Sequence, residues 1–232
     1  MTDQRASHAQ DLAVIGAGSY AAVMAELAES CGYRVSCYLD DNLSKCGTSL
    51  EEVPIRGPID TVLQTLPPAS AVAVAIGHND LRLKWLIAAR DLGHSVPALV
   101  SPQSIVSGSA TVGDAVYVHP GAHVWTQAKL GFGSIVSPAA TVAHHTELGE
   151  GCFVSSGARV GASIAVGRAA FFGIGSVTST GISSVGEHTL VGAGAVVIRD
   201  TEPYGVYVGS PARLLRVMGR RPLKGGSRES KQ

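Results

Sequence analysis

The chain has 232 residues, 18 basic and 18 acidic side chains, no net formal charge and 45% apolar residues. That balance argues against a dedicated nucleic-acid binder, and the apolar share supports one large or two modest packed domains, not disorder. No apolar run approaches the roughly 18 residues of a membrane span. The N-terminus, M-T-D-Q-R-A-S-H-A-Q, is polar and does not read as a secretory signal. Cys31, Cys37, Cys46 and Cys152 form no C-x-x-C pair. They read as reduced thiols, and the expected location is cytoplasmic.

In chain order, residues 1–10 are expected to be disordered. Leu12 to Ile15 is an apolar run that ends in Gly16-Ala17-Gly18-Ser19-Tyr20, and a helical pattern with Val23 and Leu27 follows. Tyr33 to Leu39 reads as a second strand and ends in Asp40-Asp41-Asn42. This is the opening of a βαβ unit. Its glycines permit a tight turn, and the helix after them presents free N–H groups to an anion. An acid at the end of the second strand suits a ribose hydroxyl. The G-x-G-x-x-A spacing by itself fits a nicotinamide cofactor, a nucleotide sugar, or mere close packing of strand on helix. Ile59 to Leu66 looks helical, Ala71 to Ile76 is a third strand, and a helix spans Leu81 to Leu92. Pro97 to Val100 reads as a fourth strand. Residues 11–101 thus make an α/β half-Rossmann domain with no room for a second nucleotide-binding half, which favours a mononucleotide over NAD.

Residues 102–215 carry a different period. Every sixth position from Val106 to Phe172 is apolar: Val112, Val118, Val124, Leu130, Val136, Val142, Leu148, Val154, Val160 and Val166 lie between. The frame slips by one residue and resumes at Val185, Val191 and Val197. This is the hexapeptide repeat of a parallel β-helix, in which the apolar residue points inward and small residues turn the corner. Three hexads close a coil, so Val106, Val124, Val142 and Val160 should form one interior column, and Val118, Val136, Val154 and Phe172 another. Residues 216–232 are basic and glycine-rich and are expected to be a disordered tail.

His144-His145 follows interior Val142 and so belongs to a corner turn. An imidazole's ordinary pKa, about 6.5, suits a general base at neutral pH; a solvated turn histidine is the plainer alternative. His119, His123 and His188 raise a zinc site between subunits, as in gamma-class carbonic anhydrases. Their spacing does not bring three imidazoles to one corner, so no metal is expected.

Together, Gly16-Ala17-Gly18, Leu39-Asp40-Asp41-Asn42, Ala75-Ile76-Gly77-His78-Asn79 with Arg82, His144 five before Gly149, and Val208-Gly209-Ser210-Pro211-Ala212 resemble the NeuD/PglD-type sugar acyltransferases. The resemblance runs from about Asp11 to Arg216. It implies a left-handed β-helix and transfer of acetyl from acetyl-CoA to an amino group on a nucleotide-linked sugar. It further implies that the sugar nucleotide lies among Gly16, Gly18, Ser19, Tyr20, Asp40, Asp41, Gly77, Asn79 and Arg82. The coenzyme would run along a groove between β-helices of a homotrimer, near Ala162, Gly173, Gly194, Gly209, Pro211 and Arg213. His144 would be the base, with His145 beside it. Family members usually carry a carboxylate where this chain has His145, a histidine where it has Phe153, and another where it has Tyr20. O-acetylation of a sugar hydroxyl, as with sialic acid, and a non-catalytic sugar-nucleotide binder are the competing readings.

Overall fold

The computed structural model describes residues 9–219. The N-terminal domain runs β1 (Gln10–Ile15), α1 (Ser19–Ser30), β2 (Tyr33–Leu39), β3 (Ser49–Leu50), β4 (Val53–Arg56), α2 (Ile59–Thr65), β5 (Ala71–Val74) and α3 (Asn79–Asp91). Its sheet has the order β3-β4-β2-β1-β5. All pairs are parallel except β3 with β4. Both faces are covered, which is why Ala71–Val74 is apolar throughout. Leu12 and Val14 point to the face under α1, and Ala13 and Ile15 to the face under α2 and α3. The β3–β4 hairpin is short, and its alternation is confined to Val53 and Ile55, which pack with Leu50 on the sheet's core.

The strand expected at Pro97–Val100 does not join this sheet. Leu99–Val100 pairs instead with Tyr117–Val118 and forms the first rung of the second domain. Val100 lies one full coil before Val118, so the period of the repeat claims it.

The second domain is a left-handed parallel β-helix with three faces. The first face stacks His123–Val124, Thr141–Val142 and Arg159–Val160, and the second stacks Lys129–Leu130, Glu147–Leu148 and Ala165–Val166. The third stacks Tyr117–Val118, Ile135–Val136, Phe153–Val154 and Phe171–Phe172. Partners are eighteen residues apart, as in His123 with Thr141, so both expected interior columns form. The frame slip is absorbed between Thr178 and Val185, where Ile182 turns into the core.

The outer side of the third face is roofed by the N-terminal domain. Leu99, Tyr117 and Ile135 share one apolar cluster with Leu12, Met24 and Leu27. At the corner between the second and third faces, Gly133 and Gly151 receive α3, where any Cβ would meet Leu83 or Leu86. At the far end, Arg213–Val217 pairs antiparallel with Gly205–Val208. The expected tail therefore begins with strand: Arg216 and Val217 still have a ladder to join. Of the expected disordered ends, residues 1–8 and 220–232 lie outside the described residues, and Gln10 opens β1.

The glycines after the interior residues permit coils to stack at backbone distance. A Cβ on Gly149 would stand 2.8 Å from both Arg168 N and Val166 O. Gly149→Ala should therefore lower unfolding free energy by about 1–3 kcal/mol, the usual cost of overpacking, measured by urea denaturation.

Candidate active site

His144 lies on the corner between the first and second faces of the β-helix and is exposed. Its Nδ1 is 3.0 Å from His145 Nδ1. Its ring stacks on exposed Trp125, with centroids 6.4 Å apart and planes at 27°. Sequence reasoning did not single out Trp125. The signal existed, because residue 126 lies one coil, eighteen residues, before residue 144. The backbone here is fixed by the ladder: His145 N–H donates to Thr126 O and Ser163 N–H to His144 O, each at 3.0 Å.

A second candidate region lies at the carboxyl ends of β1, β2 and β5, where the strand order reverses around β1 and parallel sheets offer a crevice. Gly16 has φ +101°, and a Cβ there would be 3.0 Å from Ala75 O, so only glycine fits. Gly18 and Ser19 are exposed at the start of α1, which has no side-chain cap and no acid in its first turn. Its free N–H groups are therefore open to an anion. Gly77, after β5, is exposed on the other side of the opening.

The acids at the end of β2 do structural work. Asp40 Oδ2 accepts from Ala17 N–H at 2.9 Å, and its Oδ1 from Asn42 N–H at 2.8 Å. Burial opposes its charge, but those amides and Lys45 hold its carboxyl below the usual carboxylate range. Asp41 Oδ1 accepts from Ile59 N–H at 2.9 Å and so caps α2. Lys45, which sequence reasoning missed, donates to Ala17 O at 2.9 Å and brings a cation to the glycine turn.

Arg82 and Asn79 require a correction. Arg82 is fully buried, and its donors are occupied within the chain. Nε reaches Gly133 O at 2.9 Å, and Nη2 reaches Gly151 O at 2.8 Å and Asn79 Oδ1 at 3.0 Å. Nη1 reaches Ile76 O at 3.2 Å. Asn79 Nδ2 donates to Ala169 O at 2.9 Å. The two side chains bind the domains to each other, because α3 sits on a corner rich in carbonyls. Burial pushes the Arg82 guanidinium down to about 10, still protonated at neutral pH. Asp80 adds a half-buried clamp to Arg168 at 3.2 Å, with His188 at 3.6 Å.

Tyr20 turns inward. Its hydroxyl meets Nε2 of buried His119 at 2.8 Å, and its ring lies 6.4 Å from that of Phe153. Burial lifts the Tyr20 phenol above its ordinary value and pushes His119 down to about 4. These residues are 99 positions apart, and no spacing in the sequence joins them.

Among the expected coenzyme residues, Ala162 stands one coil beyond His144, and its N–H has only a 3.4 Å contact with Thr180 Oγ1. Gly173 is corrected: it is buried, and a Cβ would meet Ala193 N at 2.5 Å, so it serves coil stacking. Gly194, Gly209, Pro211 and Arg213 are exposed at the far end of the helix. Gly194 N–H is held by Ile174 O at 2.9 Å. Among the described residues, no group of three or more His, Cys, Asp or Glu side chains could hold a metal ion.

Residues 11–88 match the family model of the PglD N-terminal domain. A perosamine N-acetyltransferase from Caulobacter crescentus, solved with CoA and GDP-perosamine, is 32% identical over 88% of this chain and 96% of that one, with a TM-score of 0.83. The acetyltransferase domain of PglB from Neisseria gonorrhoeae, solved with acetyl coenzyme A, is 33% identical over 90% of this chain and 100% of that one, also with a TM-score of 0.83. Comparison with curated proteins gave no match. The chain belongs to the NeuD/PglD-type sugar acyltransferase family. Tyr20 and Phe153, two positions where the resemblance leads one to expect histidine, are neighbours in one aromatic cluster that also receives His119 and Phe171. His145 is hydrogen-bonded to His144.

Two expectations follow from the interdomain contacts. Arg82→Ala leaves the Gly133 and Gly151 carbonyls without their donor and should cost on the order of 3–5 kcal/mol in denaturant unfolding. Arg82→Lys should restore only part, because one ammonium cannot reproduce the fork. His119 has a folded-state pKa lowered from 6.5 to about 4. Its stabilising contribution is complete above pH 6.5 and is lost as pH falls toward 4, since only the unfolded chain takes up that proton. The Tm of wild type should fall more steeply across that window than the Tm of His119→Gln.

Proposed function

We propose that this protein transfers the acetyl group of acetyl-CoA to an amino group on a nucleotide-linked sugar, with His144 as general base. The observation that carries the reading is an exposed imidazole whose Nδ1 is tied to His145 and whose Nε2 has no partner among the described residues. The amine nitrogen attacks the thioester carbon, and His144 Nε2 takes a proton from that nitrogen as the tetrahedral intermediate forms. The oxyanion is met by a backbone donor, for which the weakly held N–H of Ala162 is the candidate. Collapse breaks the C–S bond, and the imidazolium returns its proton to the CoA thiolate.

The sugar nucleotide is assigned to the crevice above β1 and β5, with its phosphates at the start of α1 near Lys45. That crevice belongs to the domain covering the third face, whereas His144 lies on the opposite corner of the triangular coil. One subunit cannot bring them together. A homotrimer, in which each crevice faces the His144 corner of a neighbour, resolves this and is a normal closed assembly for such a surface. One relative solved with CoA and GDP-perosamine, and another with acetyl coenzyme A, support the ligand classes.

His144→Ala should lower kcat by about 10² to 10⁴, the worth of a positioned base, with the melting temperature unchanged. Acetyl-CoA consumption with GDP- and UDP-linked 4-amino sugars reads this directly. Near wild-type turnover would move the base elsewhere. Gly18→Asp tests the crevice. A Cβ at Gly18 meets nothing within 4 Å, and Asp is a favoured N-cap, so the fold is preserved. Its carboxylate would repel the phosphates and should raise KM for the sugar nucleotide at least about tenfold, leaving KM for acetyl-CoA unchanged.

A further inference from the structure

His144 and His145 are joined through like atoms, Nδ1 to Nδ1 at 3.0 Å, with the rings at 89°. Such a contact contains one proton. With two, both nitrogens would be donors; with none, neither would. The proton's owner decides what His144 can do. If His145 donates, His144 carries its hydrogen on Nε2 and cannot act as a base there. If His144 donates, Nε2 is a lone pair.

We propose that His145 is a positioning residue: its Nδ1 accepts the Nδ1–H of His144, holds the tautomer with a free Nε2, and stabilises the imidazolium when Nε2 takes the substrate proton. This rests on the reading of His144 as the base. The hydrogen bond becomes charge-assisted at that moment, which strengthens it.

Three observations support a built arrangement. His145 sits in the left-handed region at φ 60°, with its N–H anchored on Thr126 O, so its side chain leaves the corner in a fixed direction. Trp125 stacks on His144 and limits the ring's rotation. Among the described residues, no other charge competes for the pair. The coil before offers Trp125, Thr126 and Gln127, the coil after Ala162 and Ser163, all uncharged. The carboxylate two residues on, Glu147, is closed on Lys129 at 2.6 Å.

The column itself supplies fold-neutral replacements. Gln127 and Ser163 occupy the same corner position one coil before and after, at φ 56° and 59°. His145→Ser removes the acceptor; His145→Gln offers a side-chain carbonyl in its place. The experiment is ¹⁵N-histidine NMR of the full chain, with His144 assigned by the peaks lost in His144→Gln, alongside kcat/KM against pH with acetyl-CoA and GDP-perosamine. We expect His144 to be protonated on Nδ1 in wild type and His145→Gln, and mostly on Nε2 in His145→Ser. We expect the serine variant to lose about 10- to 100-fold in kcat with both KM values unchanged. Its acid limb should move to lower pH because the imidazolium has lost its acceptor, and His145→Glu should move that limb to higher pH. A wild-type His144 protonated on Nε2, or a tautomer that His145→Ser leaves unchanged, would overturn the proposal. Full activity of His144→Ala would instead sink the base assignment, whatever the tautomer.

Discussion

Everything in this protein is referred to one spacing. Parallel backbone bonds pair each rung with the rung eighteen residues on, as His123 with Thr141 and Thr141 with Arg159. The interior columns are the apolar consequence, since no coil can bury its own valine without a neighbour above and below. The corner columns are the polar consequence. They put Gln127, His145 and Ser163 in one conformation and bring Trp125 within reach of His144. A reactive side chain on such a corner gets its direction from a ladder of backbone bonds, with little freedom left to the chain.

The N-terminal domain is bound to that scaffold by backbone carbonyls. Glycine at 133 and 151 admits α3, and Arg82 then bonds the two carbonyls that α3 covers. The opening above β1 and β5 is therefore fixed relative to the β-helix, not hinged above it. Lys45, Asp40 and the Ala17 amide shape its glycine turn from within, and Tyr20 with His119 closes its inner end.

The architecture was legible in the sequence because it is periodic. The hexads gave the columns and the βαβ pattern gave β1, α1 and β2. Where period failed, legibility failed. Leu99–Val100 is the exception: Val100 stands in the hexad frame, six before Val106, but its short apolar run reads equally well as a last strand of the α/β sheet. Arg82 reads as a substrate cation in a motif, and only its burial among carbonyls shows that it is a clamp. Asp41 suits a ribose by its place at the end of β2, and nothing in the sequence says that its carboxylate also holds the Ile59 amide. The Tyr20–His119 contact joins two domains and leaves no local trace. His144 was found because it follows interior Val142 onto a corner turn, and its ring neighbour Trp125 was missed although it lies beside Thr126, the residue one coil before.

The central claim is that the crevice of one subunit works with His144 of another. Mixing Gly18→Asp subunits with His144→Ala subunits, after co-refolding at equal concentration, tests it most directly. Each variant alone is impaired at every site. In a randomly mixed trimer about a quarter of the sites pair an intact crevice with an intact His144 across the interface. The account predicts that acetyl transfer recovers toward that fraction of wild type. Recovery no greater than the sum of the two variants measured alone, in a confirmed mixed oligomer, would contradict it.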